Sequence, residues 1–226
     1  RLPSWLKKDI EELSDELGSV ESPAKPALKS GNPRPIIVGA GPAGLMAAWH
    51  LAMAGFKPIL IERGDRADRR KPVVDNFWRT GTFDPENNAL YGEGGAGLFS
   101  DGKLTARSKD RPRIRIFFET LVRCGAPRDI LIDAEPHLGS DILLEVVASM
   151  RQLIEANGGE TLYNTALTDL ICENGAIVGI KCGDKELSCN RLILATGHSA
   201  RDVYRLLQNK CASLESKPLA VGIRLE

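Results

Sequence analysis

The sequence predicts an α/β fold: a parallel sheet carrying helices, with a three-stranded antiparallel meander set into it. Three observations predict it. The apolar run 35–38 leads directly into Gly39-Ala40-Gly41-Pro42-Ala43-Gly44 and then into a stretch of helix formers. Two later segments repeat apolar residues at helical spacing. From Glu160 the period falls to two, with Asn174-Gly175 and Gly183-Asp184 between the alternating runs, which are strong hairpin signals.

The first of these is a strand, a Gly-x-Gly-x-x-Gly turn and a helix, followed by a second apolar run that ends in Glu62. That order is the fingerprint of a dinucleotide site. Gly39 permits the tight turn, Gly41 lets the main chain approach a pyrophosphate, and Gly44 allows close packing of helix on strand. The N–H groups and positive dipole end of the helix, from about Ala43 onward, attract phosphate, while Glu62 can accept hydrogen bonds from a ribose hydroxyl pair. A carboxylate at that point disfavours a 2′-phosphate. The helix closes at Gly55.

Residues 1–20 have amphipathic spacing, and 22–35 carry four prolines, so 1–34 reads as an amphipathic segment and a linker ahead of a domain spanning 35–226. The charge run 64–71 reads as a solvated loop and 75–81 as a short helix closing on glycine, with Phe77 and Trp78 in the core. The segment 91–104 holds five glycines, at 92, 94, 95, 97 and 102. So much backbone entropy, interleaved with Leu98, Phe99 and Leu104, indicates main chain pressed against a ligand. Asp101 and Lys103 read either as part of that site or as a surface pair. Helices are expected over 114–124 and 141–157. The meander is expected over 166–172, 176–182 and 186–189, and a buried strand then ends in Ala195-Thr196-Gly197 before a helix at 200–207. The last residues, 219–226, look like a strand cut short, which suggests that a C-terminal portion and most of a substrate domain are absent.

Lysine plus arginine and aspartate plus glutamate balance at 30 each, so no global field draws the chain to nucleic acid or to an anionic membrane. Five cysteines with no C-x-x-C pair fit a reducing, cytoplasmic setting and argue against a dithiol reductase. No run reaches the length of a membrane span, no residues have metal-ligand spacing, and no Gly-x-Ser-x-Gly elbow is present. The sequence carries no signal for an oligomeric state.

With these motifs in order, the chain resembles the glutathione-reductase-like FAD-binding fold, and within it the bacterial group of uncharacterised FAD-dependent dehydrogenases. The resemblance rests on Gly92-Glu93-Gly94-Gly95-Ala96-Gly97, on Phe99-Ser100-Asp101-Gly102-Lys103-Leu104, on Leu138-Gly139-Ser140-Asp141, and on the motifs 196–202 and 220–224. It covers about residues 35 to the end. It implies a Rossmann-like domain that binds FAD, with the pyrophosphate on Gly39, Ala40, Gly41, Pro42, Ala43 and Gly44 and the ribose on Glu62 beside Arg63. It also implies that Gly94, Gly95, Ala96, Gly97, Ser100, Asp101, Gly102 and Lys103 run along the pyrophosphate or the flavin ring. Ala166 and Leu167 would meet the adenine, and Ala195, Thr196 and Gly197 would close over the phosphates.

The reaction then expected is hydride transfer between flavin and a small-molecule substrate, with NADH or NADPH as a partner. Lys103 is the candidate cation near the pyrimidine end of the ring. His198 either shuttles a proton or orders its turn. An NAD-binding domain shares the fingerprint. A rival of another class is a flavin-holding scaffold or an RNA-modification component, with FAD structural or a methyl carrier, and the balanced charge counts against it.

Overall fold

The computed structural model describes residues 33–100, 102–104, 108–133, 136–210 and 213–218. The amphipathic start, most of the proline-rich linker, Asp101, Cys211 and the run 219–226 lie outside the described residues.

Strand β1 (Ile36–Val38) passes through the glycine turn into helix α1 (Pro42–Met53) and returns as β2 (Ile59–Ile61). Helices α2 (Ala67–Thr80), α3 (Arg111–Arg123) and α4 (Ser140–Ala156) follow, then β3 (Glu160–Leu162). The meander is β4 (Asp169–Glu173), β5 (Ala176–Cys182) and β6 (Lys185–Ser188), and β7 (Leu192–Leu194) leads to α5 (Arg201–Lys210). The main sheet has the order β3-β2-β1-β7, with every pairing parallel. β4, β5 and β6 form the separate antiparallel sheet that the hairpin signals predict.

The central strands are apolar at every position because both of their faces are covered. Ile37 and Leu60 join the helical side, packed with Leu45, Trp49 and the inner face of α4. Ile36, Val38, Ile59 and Ile61 face the other way, onto Leu170 and Ile180 of the meander, Leu167 just ahead of it, and Val203 of α5. The meander is therefore a lid on one side of the parallel sheet.

Three expectations are corrected. The charge run 64–71 is not a loop beyond residue 66, because α2 begins at Ala67 and runs unbroken through Pro72 to a left-handed Gly81. Its buried residues are Ala67, Arg70 and Val74, an inward stripe at i, i+3 and i+7 with an arginine in the middle. Trp78 is 58% exposed rather than core, and Phe77 is half-buried with its ring edge-on to Phe83 at 5.7 Å. β4 starts at Asp169 instead of Ala166, because the Thr165 N–H donates to the Glu62 carbonyl at 2.9 Å and holds 165–167 beside the end of β2.

A buried ion pair ties the glycine-rich segment to this frame. Glu93 is fully buried and accepts from Arg151 of α4 at 2.7 and 2.9 Å, from the Ala67 N–H at 2.6 Å and from the Tyr163 hydroxyl. Burial alone would lower the pKa of Arg151, but Glu93 and Tyr163 hold it above the ordinary arginine value. Burial, reinforced by the Glu93 charge, pushes the Tyr163 phenol well up. Three elements thus meet on one carboxylate. Glu93→Ala should cost about 3–5 kcal/mol, because Arg151 would be left buried and unpaired. Thermal unfolding followed by circular dichroism should show a midpoint lower by roughly 10 °C, partly restored in Glu93→Leu/Arg151→Met.

Candidate functional site

The three motif glycines play different physical roles. A Cβ on Gly39, whose φ is +100°, would lie 2.6 Å from the Ala195 carbonyl oxygen, so the turn can neither bend nor meet β7 with a side chain there. A Cβ on Gly44 would lie 1.7 Å from the Gly39 carbonyl oxygen, which makes that position a matter of helix packing. Gly41 has an ordinary φ of −63°, and nothing in the protein stands within 4 Å of where its Cβ would be. That position is shaped for something outside the chain.

The space in front of it is a cavity of about 380 Å³. No described side chain caps α1, Pro42 has no N–H, and the first intrahelical bond runs from the Leu45 N–H to the Gly41 carbonyl at 2.9 Å. The N–H groups of Ala43 and Gly44 therefore precede the helix ladder, at the positive end of its dipole. The cavity runs from Gly41, Pro42 and Ala43 past Glu62 and Arg63 to Thr165, Ala166 and Leu167 on one side. On the other it passes Ala195, Thr196, Gly197 and His198, and Tyr91, Gly92, Gly95 and Ala96 form part of a further wall. A pyrophosphate-bridged dinucleotide fits these residues: main-chain donors at an uncapped helix start, a side-chain-free approach at Gly41 and a carboxylate at the strand end.

Glu62 is 4% exposed and stitches the turn together. Its carboxylate accepts from the Ala40 N–H at 2.7 Å and from the Gly64 N–H at 2.9 Å while still lining the cavity. Each carboxylate oxygen keeps a second lone pair for a ribose hydroxyl. Arg63 is held by Glu86, bonded through both Nε and Nη2, and by Asp202 of α5 at 2.9 Å. The Glu86 hydrogen bond raises its pKa against the effect of burial. This ion cluster closes the Glu62 end of the cavity.

The glycine-rich segment is ordered by contacts on both sides. The Gly94 N–H donates to the Ala40 carbonyl at 2.9 Å, and a Cβ on Gly95 would meet Pro42 at 2.9 Å. Behind it stands Arg70, with Nη2 on the Gly95 carbonyl at 2.9 Å, Nη1 on the Tyr91 carbonyl, and its guanidinium 4.9 Å from the centre of the Phe99 ring. Residues 96–99 form a single 3-10 turn with Leu98 buried.

The predicted site residues divide accordingly. Gly39, Gly41, Pro42, Ala43, Glu62, Arg63, Gly95, Ala96, Ala166, Leu167, Ala195, Thr196, Gly197 and His198 come together around the first cavity. Ala40 and Gly44 lie behind the turn. Gly102 locks onto the Leu138 loop, where the Leu138 N–H donates to its carbonyl at 2.9 Å, and exposed Ser100 bonds back to the Gly97 carbonyl. Gly94, Gly97 and Lys103 face a second cavity of about 880 Å³ between α1, α3 and α4, with Pro42 on the wall of both cavities. The Lys103 main chain pairs with His137 in an isolated antiparallel β-bridge. Sequence reasoning missed Arg70 and Arg151, and gave Tyr91 and Glu93 no role of their own within the glycine-rich segment. Only the i, i+3, i+7 stripe of α2 could have revealed Arg70.

The fold and cavity define a Rossmann-like dinucleotide-binding α/β unit. The chain belongs to the pyridine nucleotide-disulphide oxidoreductase family, whose model matches residues 33–215. FAD and oxidoreduction are the cofactor and the class of chemistry that membership carries. An uncharacterised protein of Clostridium beijerinckii is 41% identical over 216 residues, covering 94% of this chain and 39% of the relative. The thiamine thiazole synthase of Aeropyrum pernix is 31% identical over 145 residues, covering 64% of this chain and 42% of that protein. The chain thus spans about two-fifths of the curated relatives it matches. Among solved structures, THI4 of Thermovibrio ammonificans aligns with a TM-score of 0.49 at 16% identity, over 93% of this chain and 71% of that one. The thioredoxin reductase of Lactococcus lactis aligns at 0.40 with 19% identity, over 74% of this chain and 36% of that one. No described helix is long and apolar enough to cross a membrane, and among the described residues no three His, Cys, Asp or Glu side chains converge as a metal site requires.

The glycine roles separate by experiment. Gly44→Ala should fold poorly, since backbone stands in the way of its Cβ. Gly41→Val should melt within about 2 °C of the parent, as a substitution touching nothing does, yet bind FAD at least about tenfold more weakly. Flavin fluorescence titration beside a thermal melt reads both.

Proposed function

We propose that this chain is the FAD-holding part of an oxidoreductase that passes a hydride between the flavin and a small organic substrate, with NADH or NADPH as the second partner. The observation that carries the reading is Gly41, a glycine with no conformational or packing need, set at an uncapped helix start that faces a cavity ended by Glu62. Bound FAD would supply the hydride chemistry at its ring, and the protein would bind, orient and tune it. Gly41 and the Ala43 and Gly44 N–H groups would take the pyrophosphate, Glu62 a ribose, and 165–167 the adenine side.

The reacting end of the flavin then lies past Pro42, toward the second cavity, where Lys103 stands. A cation there favours the reduced, anionic ring. His198, exposed on the rim of the first cavity, would be the side chain that passes a proton there.

The purified protein should show the visible absorption of oxidised flavin, release FAD on heating as identified by mass, and bleach anaerobically with NADH or NADPH. A colourless protein that also refuses added FAD would refute the reading. Lys103→Ala should lower the flavin midpoint potential by tens of millivolts, since about 1 kcal/mol of lost stabilisation corresponds to roughly 20 mV for two electrons. An unchanged potential would remove Lys103 from the site.

A further inference from the structure

We propose that Arg70 is the positioning residue of the cofactor cavity: it braces the glycine strip from behind, and its buried positive charge is balanced by the cofactor's pyrophosphate. The proposal rests on reading the first cavity as the FAD site. Arg70 is 0% exposed and the largest fully buried side chain among the described residues. A buried guanidinium ordinarily sits against a carboxylate. This one donates only to the main-chain carbonyls of Tyr91 and Gly95, and its Nε finds no acceptor among the described residues.

The charged groups facing it are Glu62, from the end of β2, and Glu93, from the strip itself. Neither forms a described ion pair with it. Glu62 is engaged by the Ala40 and Gly64 N–H groups, and Glu93 by Arg151, Tyr163 and Ala67. Burial outweighs these two carboxylates and brings the Arg70 pKa down to about 10. The fold therefore keeps a cation inside without a full counter-charge. The residues it holds, Tyr91 and Gly95, and Gly92 between them, all line the cavity. Gly92 is fitted to it in turn, because a Cβ there would fall 1.9 Å from Arg70 Nη1. By fixing two carbonyls inward, Arg70 also sets the peptide planes of the strip. An anion in the cavity meets a positive potential from behind the strip and the α1 dipole in front.

The test compares Arg70→Met and Arg70→Lys with the parent, titrating FAD and, separately, ADP, which carries the pyrophosphate without the flavin. Arg70→Met should weaken both ligands roughly tenfold to a hundredfold at every pH, the size expected of one cation acting through an effective dielectric near 20. In Arg70→Lys, burial lowers the lysine pKa, so the charge is present at about pH 6 and lost as the pH rises. Its affinity should lie near the parent's in acid and fall toward that of Arg70→Met by about pH 9. The parent's own profile, which includes any contribution from His198 on the cavity wall, is subtracted. A merely structural brace would give no such divergence.

Folded variants that bind like the parent, or two variants weakened equally at every pH, would overturn the proposal. If Arg70→Met does not fold, the Arg70→Lys profile decides alone. A parent that binds ADP but not FAD would refute the flavin reading while leaving Arg70 testable on ADP. A parent that binds neither would overturn both.

Discussion

The glycine-rich strip 92–97 is held by buried charge, and the cavity depends on it. A run of glycines has more conformational entropy to lose than any other sequence, so it stays in place only where contacts over-determine it. Here the Glu93 carboxylate, clamped by Arg151, Tyr163 and the start of α2, anchors the strip from within, while Arg70 holds the carbonyls on either side. Without those anchors the wall of the cavity opposite Gly41 would be mobile chain. Charge burial is costly, and here it is directed at order near a ligand site.

A second constraint runs through the first turn. Gly39 meets β7 through Ala195, Gly44 meets Gly39, and Ala40 receives the strip through the Gly94 N–H. β1, β7, α1 and the strip are thereby locked at one point, beside the cavity, as expected for ligands bound at the carboxyl ends of parallel strands. Glu62 adds the end of β2 to the same knot through Ala40 and Gly64. The meander lies on the opposite face of the sheet, and Leu167, in the segment leading into it, serves both the core and the cavity wall.

The family supplies the class of chemistry and the cofactor, while this chain spans about two-fifths of its curated relatives. The 226 residues contain no C-x-x-C pair. Cys124 shows the contrast with a reactive thiol: it is buried, and burial pushes its pKa up to about 11, the reverse of what a nucleophile needs.

What the sequence determined by itself was everything written in local pattern. The strand, turn and helix at 36–53, Glu62 at the next strand end, the two later helices and the Asn-Gly and Gly-Asp hairpins rest on short-range rules of φ, spacing and turn chemistry, and all appear. Tertiary structure decided the rest, because it turned on partners distant in sequence. Arg70 and its neighbours look like a solvated charge run until α2 packs and turns one of the four cationic residues in that run inward. Trp78 reads as core by composition, yet the inward stripe of its helix passes through Val74 and leaves it outside. Glu93 finds Arg151 58 positions away and Tyr163 70 positions away, separations no local periodicity records. Lys103 falls beside the second cavity because Gly102 locks onto the Leu138 loop. Local sequence set which elements form and where a dinucleotide could sit. Only the folded chain placed the buried charges that hold the site in shape.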